Sequence, residues 1–542
     1  MQLSFFRALD DARASVPARA AGLFLLVFGA LWLLVHGGSV LVPPMDNLEQ
    51  LIWVRKLDWG YYKHPPLTTV LLWPLVQLFG LHGWVTYVLG GGLTLASLGW
   101  LWWLLRRMQD SRFATLALLA MLCITFVAGR LHFYNHNITL LLFTVASAVF
   151  AWLAFEQQRW RWWLLLGCSL GLGALAKYQI GLSVVALLVL WLLARGWQSP
   201  VHRGGLVLAG LVSMAVFAPH AWWQLQQGGG ALGYALSTSV EAGEAGVSGA
   251  LGSLQWLADQ LLGRAMLSGL LLGLGVWFWR RRLRRQPPEA AIPNANLRQE
   301  DGGKQRAPLS ARIFLLVWGG VPLLLMTLMG MLMGSELQRH WGVAYLPILL
   351  PGLMLLAPRV DWAGVLSRPV WRTFLVLQLL LVAQVVLTSA HGLPKWRNKS
   401  WRNFDAARVA AAMTPQVQQA LGGPVRVIIG DSKEAGAVAL ALRERPLVLL
   451  NNNYRWSPWV PEDLVARCGA VVLRADYLVA PTKEPATEAA REAARVWAQG
   501  ARPLVIPQDA VTGHVENLGG GITAMHWVVL PPESGQPACS AL

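Results

Sequence analysis

The chain has 542 residues, of which 55% are hydrophobic and only 13% charged, and its formal net charge is +17. Soluble globular domains carry about a quarter charged residues, so this composition excludes a wholly water-soluble protein. The basic charge does not indicate a nucleic-acid partner either. Cations concentrate in short segments between apolar runs, above all at Arg280–Arg282, Arg284 and Arg285, which is typical of membrane topology.

Apolar runs of roughly membrane-spanning length follow one another through the first 390 residues. A helix needs about 20 residues to cross about 30 Å of hydrocarbon. The predicted spans are 20–41, 83–105, 113–129, 138–155, 162–176, 179–195, 204–222, 256–279, 311–333, 343–358 and 370–390. With a cytoplasmic N-terminus, the positive-inside rule is satisfied at every cytoplasmic turn, because these turns carry Arg106, Arg107, Arg112, Arg159, Arg161, Arg195, Arg203, Arg359, Arg368 and the 280–312 cluster.

One apolar segment does not fit this pattern as a full span. Residues 67–81 are short, contain Pro74 and follow the pair Pro65–Pro66. Counting them as a crossing would move every later arginine cluster to the outside. We therefore expect a re-entrant or interfacial helix, or a pair of partial crossings, and a total of about eleven to thirteen spans.

The chain changes character at two places. Residues 283–310, inside the predicted cytoplasmic linker 280–312, are rich in proline and charge and poor in large apolar residues, which predicts disorder. From 391 to 542, short strand-like pieces alternate with helix-like ones. The strand-like pieces are 425–431, 446–452, 469–475 and 525–532, and the helices lie near 404–421 and 484–499. The fold class is thus a polytopic α-helical membrane module, 1–390, followed by an α/β domain, 391–542, placed outside by the odd number of spans.

The cysteines agree with this organisation. Cys123 and Cys168 lie in apolar spans, where they are expected to be small core residues. Cys468 and Cys539 lie in the outside domain, where an oxidising compartment permits a bridge, although the sequence does not show that they are close. Cysteine pairs with metal-binding spacing are absent from the sequence.

Charged residues concentrate in the first outside loop, residues 42–66. It contains Asp46, Glu49, Arg55, Lys56, Asp58, Lys63 and His64. Carboxylates at a membrane boundary are costly unless hydrated or paired, which favours a functional role. Asp46 directly follows the first span, where it is placed to act as general base on a hydroxyl acceptor. It is equally suited to cap a helix over 47–57, and the sequence leaves both interpretations open.

Several motifs occur in a fixed order around these loops. They are Asp46–Asn47, the run Gly60–Leu67, Gly129–Arg130, Asn137–Leu140, Leu172–Tyr178, His340–Trp341 and Ala344–Pro347. This ordered set resembles the GT-C fold glycosyltransferases, in particular the bacterial protein-mannosyltransferase-like group and the lipid A aminoarabinose transferases. The resemblance covers roughly residues 20–390. It implies an inverting transfer from an undecaprenyl-phosphate-linked sugar, with Asp46 in the catalytic cleft.

Two departures from the family bear on metal binding. The family usually has Asp-Glu where this chain has Asp46–Asn47, and commonly an acidic residue where Asn137 stands. We therefore expect no divalent metal and no cofactor. Asn137 is predicted to hydrogen-bond the sugar or the acceptor, and Glu49 and Tyr62 are further predicted contacts with either.

The departing lipid phosphate requires nearby cations. The candidates are Lys63, His64, Arg130, Lys177, Arg264, Arg339 and His340. Alternatives stay open: Lys177 is also placed to snorkel, Arg264 to pair with Asp259, and Arg339 to anchor at the interface. His132 and His136 are interpreted as loop polarity.

Weaker signals lie in other outside segments. The glycine-rich stretch 227–255, with Glu241 and Glu244, is expected either to order over the carrier lipid or to be a plain flexible connection. In the terminal domain Gly430–Ser432 follows a strand, but it is too short a signal for a nucleotide site. Asn451–Trp456 is predicted to be exposed and to contact the acceptor.

The expected partners are a polyprenyl-phosphate-linked sugar, a glycolipid or glycan acceptor such as lipid A, and membrane lipid. The expected location is the bacterial inner membrane, with the working face outside. Two alternative functions remain: a transporter or flippase for a lipid-linked sugar, and a protein O-glycosyltransferase. Transporters tend to show inverted repeats with broken helices at midplane, which this sequence does not show.

Overall fold

The computed structural model describes residues 11, 14–227, 247–285, 309–334, 337–478, 501–535 and 539. The first part of the chain is helical. Its helices are α1 (Ala18–Gly37), α2 (Met45–Trp53), α3 (Leu67–Phe79), α4 (Gly83–Met108), α5 (Ser111–Leu122), α6 (Thr125–Ala128), α7 (His136–Gln157), α8 (Trp160–Ala176), α9 (Gly181–Leu193), α10 (Pro200–Gln226), α11 (Val247–Ala258), α12 (Met266–Leu283), α13 (Ala311–Met333), α14 (Leu346–Met354), α15 (Trp362–Val365) and α16 (Arg368–Leu387). A π-helical segment, Asp259–Arg264, connects α11 to α12.

Within the described residues, six helices are long and apolar enough to cross a membrane: α1, α4, α7, α10, α13 and α16. The broken pair formed by α11, the π-helical segment and α12 is bent by 49° and makes a seventh candidate. A helix lies at each of the eleven predicted positions, and the predicted polytopic helical fold is confirmed. Several of these helices are shorter than a full span, because turns interrupt them. The clearest example is α14, which has nine residues and contains Pro351.

The apolar segment after the Pro65–Pro66 pair forms α3, a helix of 13 residues that contains Pro74. Thirteen residues rise about 20 Å, which is less than the hydrocarbon thickness of a bilayer. The structure therefore agrees with the prediction that this segment is not a full span. The predicted linker begins later than expected, since α12 continues to Leu283, and most of the linker lies outside the described residues.

Close packing between α8 and α10 fixes the position where α8 ends. A side chain at Gly167 would lie 2.6 Å from the carbonyl oxygen of Ala209, and one at Gly171 would meet Val216 at 2.7 Å. Small residues allow such close approach between membrane helices. Lys177, the residue after α8, is therefore held at a defined point at one end of the helical module.

The terminal part of the chain forms a five-stranded sheet with flanking helices. Its elements are α17 (Ala406–Leu421), β1 (Val427–Gly430), α18 (Glu434–Ala441), β2 (Leu447–Leu450), α19 (Leu464–Cys468), β3 (Ala470–Tyr477), β4 (Thr512–Gly519) and β5 (Ile522–Leu530). The strand order is β2-β1-β3-β5-β4; β1 pairs in parallel with β2 and β3, whereas β5 is antiparallel to β3 and β4.

Four of the five strands lie where the sequence predicted them. The fifth, β4, was not predicted, because it is an edge strand whose residues are mostly exposed and only weakly apolar. The short helices α18 and α19 were not predicted either. The predicted helix near 484–499 lies outside the described residues.

The first loop does not stand apart from the terminal domain. Leu48, Ile52 and Trp53 of α2 are buried in the same hydrophobic cluster as the strands β1 and β2. Tyr61 stacks on Trp53 with ring centroids 4.8 Å apart, and Tyr62 stacks on Trp456 of the terminal domain at 4.7 Å. This shared core fixes α2 against the terminal sheet.

The proposed capping role of Asp46 is wrong. The residue that caps α2 is Pro44, without a side-chain hydrogen bond, and Asp46 lies inside the first turn of the helix. A carboxylate at this position is favoured by the helix dipole. Its side chain is available for contacts outside α2.

A disulfide bond joins Cys468, the last residue of α19, to Cys539, and so closes a sequence separation of 71 residues. Because a bridge of this kind restricts the unfolded chain, we expect Cys539→Ser to lower the stability of the terminal domain by about 2–4 kcal/mol. Denaturant unfolding followed by tryptophan fluorescence measures this loss. Cys168→Ser, which removes an unbridged thiol, is the matched control. Equal unfolding of Cys539→Ser and wild-type protein would contradict the prediction.

Candidate active site

A cavity of about 620 Å³ lies between the helical module and the terminal domain. Its lining comes from the first loop, the start of α7, the α8–α9 junction, α13, the loop before α14 and the loop between β1 and α18. The polar lining residues are Asp46, Glu49, Lys63, His64, Asn135, His136, Asn137, Lys177, Tyr178, Gln179, Gln338, His340, Trp341, Asp431, Ser432 and Lys433. The structure thus brings seven of the predicted site residues together: Asp46, Glu49, Lys63, His64, Asn137, Lys177 and His340.

The carboxylate of Asp46 is held by a neighbour that is itself fixed. Asn135 donates from Nδ2 to Asp46 Oδ2 at 2.7 Å. The Oδ1 atom of Asn135 caps α7 by accepting from the backbone N–H groups of Asn137 and Ile138, at 3.0 and 3.1 Å. Since both ends of the Asn135 amide are engaged, the carboxylate has a defined orientation at the cavity wall.

Lys177 is half-buried and lines the same cavity as Asp46. Its ammonium donates to Asn137 Oδ1 at 2.8 Å and lies 5.3 Å from the ring centre of Trp341. Burial lowers the pKa of Lys177 to about 7, and the charge of Asp46 opposes this shift. The two groups that contact the Lys177 ammonium, an amide oxygen and an indole ring, carry no net charge. The ammonium is therefore suited to bind an anion.

Glu49 and Lys63 form a link between the first loop and the terminal domain. Lys63 makes an ion pair with Glu49, and Ser432 donates to the same carboxylate oxygen at 3.3 Å. Burial raises the pKa of Glu49, and the ammonium of Lys63 opposes this shift. Glu49, predicted to contact the sugar or the acceptor, and Lys63, predicted to bind the phosphate, therefore bind each other at one wall of the cavity.

Two predicted phosphate ligands are neutral imidazoles in this environment. Burial lowers the pKa of His64 well below its usual value and that of His340 to about 4. At neutral pH these rings supply hydrogen bonds but no positive charge. His64 packs against His136 with ring centroids 3.9 Å apart and ring planes tilted by 34°, and His136 lines the cavity as well.

The interpretation of His136 as loop polarity is therefore wrong, and the sequence held no signal for its position. His132 is not part of the cavity lining: it is buried and packs against His36, with ring centroids 3.9 Å apart and ring planes tilted by 31°.

The three predicted arginines lie in a small side pocket of about 30 Å³ that shares Asn135, Asn137 and His340 with the cavity. Arg264 Nε donates to Asp259 Oδ2 at 2.9 Å, which realises the pairing that the sequence allowed. The Arg130 guanidinium lies 5.1 Å from the ring centre of Phe133. Arg130, Arg264 and Arg339 thus flank the cavity without lining it.

Two predicted acceptor contacts, Tyr62 and the segment Asn451–Trp456, lie outside the cavity lining. Tyr62 packs on Trp456 outside the cavity lining. In the segment Asn451–Trp456, Asn453 is fully buried and accepts the backbone N–H of Trp456 at 3.2 Å. Asn451 and Arg455 are exposed as predicted, but Asn452 and Asn453 are buried, because this turn packs into the terminal domain.

In the described part of the chain, no three His, Cys, Asp or Glu side chains come together in a way that would hold a metal ion. Asn47, where the resembled family has glutamate, is buried and engaged. Its Nδ2 donates to Thr86 Oγ1 at 2.7 Å and to the carbonyl of His132 at 3.0 Å. Its Oδ1 accepts the backbone N–H of Tyr134 at 2.9 Å. This amide holds the first loop against α4 and the segment before α7.

Comparison with known proteins identifies similar chains. Residues 63–223 match the family model described as dolichyl-phosphate-mannose-protein mannosyltransferase. The lipopolysaccharide core galacturonosyltransferase RgtA of Rhizobium johnstonii is 25% identical over 220 residues, which is 39% of this chain and 43% of RgtA. The lipid A galacturonosyltransferase RgtD of the same organism is 25% identical over 185 residues, 34% of this chain and 38% of RgtD. The chain thus spans less than half the length of the curated relatives it matches.

The likeness to solved structures covers nearly the whole chain. ArnT from Cupriavidus metallidurans bound to undecaprenyl phosphate superposes with a TM-score of 0.57 at 13% identity, over 93% of this chain and 97% of ArnT. The apo state of ArnT gives a TM-score of 0.56 at 14% identity, over 94% and 98%. The predicted GT-C resemblance, with a terminal sheet domain, is confirmed at the level of the fold.

Proposed function

We propose that this chain, which has the fold of the GT-C membrane glycosyltransferases, moves a sugar from a polyprenyl (undecaprenyl) phosphate carrier to an acceptor outside the bacterial inner membrane. The observation that carries the proposal is the cavity between helical module and terminal domain, where the fixed carboxylate of Asp46 shares a wall with the ammonium of Lys177. The names of RgtA and RgtD support a lipopolysaccharide component, such as lipid A, as acceptor.

The cavity contains the groups that an inverting transfer requires. The acceptor oxygen attacks the anomeric carbon while the bond from that carbon to the phosphate oxygen breaks. Asp46 takes the proton of a hydroxyl acceptor, and the polyprenyl phosphate leaves with the electron pair of the broken bond. Lys177 stabilises the phosphate charge in a partly buried setting, where electrostatic interactions are stronger than in water. If the acceptor is itself a phosphate group, Asp46 orients it or the sugar instead.

The carrier lipid has a matching surface. Leu182 at the start of α9 and Met326 and Met329 of α13 form an apolar part of the cavity lining. Both helices belong to the apolar module, so a polyprenyl chain would continue from this end of the cavity into the bilayer. A phosphate attached to that chain then reaches Lys177.

One assay separates an enzyme from a transporter. Purified full-length protein is incubated with a polyprenyl-phosphate sugar and lipid A, and free polyprenyl phosphate is quantified by mass spectrometry. Transferase activity gives free carrier and glycosylated lipid A in equal amounts. Movement of intact donor across vesicles without release of carrier would favour a flippase. Label recovered only in a polypeptide acceptor would favour the protein O-glycosyltransferase that the family description suggests.

We further propose that the reaction needs no divalent metal. The Asn47 amide is committed to buried hydrogen bonds, and Asn137 replaces a carboxylate that would be a better ligand for a hard cation. Turnover is expected to be the same with and without EDTA during the assay. Loss of turnover in EDTA that returns when Mg²⁺, Mn²⁺ or Zn²⁺ is added would contradict this prediction.

A further inference from the structure

The loop between β1 and α18 lies at the topological switch point of the terminal sheet. In the order β2-β1-β3, the strand β1 pairs in parallel with both neighbours. The chain leads from β1 through α18 to β2 on one side, and then from β2 through α19 to β3 on the other side of β1. In open sheets of this kind, ligands bind beyond the carboxyl ends of the strands at such a point. Residues Asp431–Lys433 occupy this place, directly after β1.

This loop borders the cavity. Asp431, Ser432 and Lys433 form part of the cavity lining. Their backbone is fixed, since Asp431 Oδ1 accepts the backbone N–H of Lys433 at 3.0 Å and Ser432 donates to Glu49. The half-buried ammonium of Lys433 lies 3.3 Å from Tyr477 Oη and 3.5 Å from Glu434. A carboxylate and an ammonium are thus presented from one rigid turn.

The cavity is polar at this end and apolar at the other. Leu182, Met326 and Met329 line it from the helical module, whereas the terminal domain contributes charged and hydroxyl side chains. The apolar end suits the tail of a polyprenyl donor, and Lys177 suits its phosphate. The polar end then remains for the second substrate.

We propose that Asp431 and Lys433 bind the saccharide headgroup of a glycolipid acceptor and thereby determine which acceptor is used. The inference rests on the proposed transferase function. Sugar hydroxyls donate to the carboxylate of Asp431, and Lys433 donates to a hydroxyl or phosphate oxygen of the headgroup. A site with both a carboxylate and an ammonium suits a hydroxyl-rich ligand better than it suits a simple anion. Each hydroxyl can donate to the carboxylate or accept from the ammonium.

Lys433→Gln and Asp431→Asn in the full-length protein test this proposal. Binding of lipid A and of polyprenyl phosphate is measured separately for each variant, and so are the KM values for donor and acceptor. Each variant is expected to weaken lipid A binding and raise the acceptor KM by about tenfold, the effect of one charged hydrogen bond, with the donor KM unchanged. Lys433→Arg, which keeps the charge, is expected to restore part of the acceptor affinity.

Lys395→Gln is the matched control, because Lys395 is exposed and outside the cavity lining. Thermal unfolding of each variant identifies a loss of fold, which would change donor and acceptor binding together. The inference is overturned if wild-type protein does not bind lipid A, or if the variants change donor and acceptor KM equally. The proposed function fails by a different result, namely binding of lipid A without release of polyprenyl phosphate.

Discussion

Replacing Asp46 with asparagine is expected to lower the rate of polyprenyl phosphate release by about 10²–10⁴-fold, the usual contribution of a general base. The substitution is isosteric, and the amide oxygen can still accept the hydrogen bond that Asn135 donates at 2.7 Å. The cavity should therefore keep its shape and lose only the group that takes the proton. The expected change is in kcat, with donor binding retained. Initial rates at saturating donor and acceptor measure it.

Asp58→Asn is the matched control for this experiment. Asp58 lies in the same first loop, accepts the backbone N–H of Trp59 at 2.7 Å and does not line the cavity. Its replacement should leave turnover unchanged. If Asp46→Asn kept the wild-type rate with a hydroxyl acceptor, Asp46 would not be the base. Retained turnover with a phosphate acceptor alone would assign Asp46 to orientation.

Lys177→Gln is expected to raise the donor KM by roughly tenfold to a hundredfold, since a hydrogen bond to a charged group contributes about 1.5–3 kcal/mol. The half-buried ammonium contacts Asn137 and Trp341, and glutamine at this position supplies no positive charge in its place. Steady-state kinetics with varied donor measures the change. Lys399→Gln, a loss of an exposed lysine outside the cavity, is the control.

The donor KM should also depend on pH through Lys177. Burial lowers the pKa of this ammonium to about 7 in the ligand-free cavity, so the charged form prevails below pH 7 and is lost as the pH rises. The donor phosphate, a diester, keeps one negative charge throughout this range. The anion binds the charged lysine, so the donor KM is expected to be constant well below pH 7 and to increase as the pH rises through 7.

Lys177→Arg separates this effect from other titrations, because a guanidinium stays charged over the whole range. In that variant the donor KM should no longer rise between pH 7 and pH 9. His64 and His340 do not produce the same profile, since burial lowers the pKa of both rings below neutral pH. A rise in KM that persists in Lys177→Arg would exclude Lys177 as its origin.

Many site residues could be predicted together because loops on the same side of a membrane share a face. Span lengths and arginine positions predicted that Asp46, Lys63, Asn137, Lys177 and His340 lie on one side, and the resemblance to the GT-C family implied that they belong to the site. The structure brings all five to one cavity. Their charge state could not be predicted in the same way. It depends on burial, which leaves Lys177 partly charged and His340 neutral at pH 7.

Other parts of the site depend on contacts between distant segments. The pairing of α2 with α18 and the terminal sheet joins residues separated by nearly 400 positions, and no local pattern encodes it. That pairing brings Ser432 to Glu49 and places Asp431 and Lys433 in the cavity. The side pocket is different, because Arg264 pairs with Asp259 only five positions away, and the sequence already allowed that pairing.

The sequence by itself determined the helical membrane module, the terminal α/β domain and the common face of the charged loops. These features follow from hydrophobic length, strand-like runs and charge placement, which are local properties of the chain. Only the tertiary structure decided that the terminal domain closes the cavity, that Tyr62 packs on Trp456 and that His136 lines the cavity wall. These outcomes depend on which apolar surfaces meet when the first loop docks on the terminal sheet, and on how much water that docking removes from each buried group.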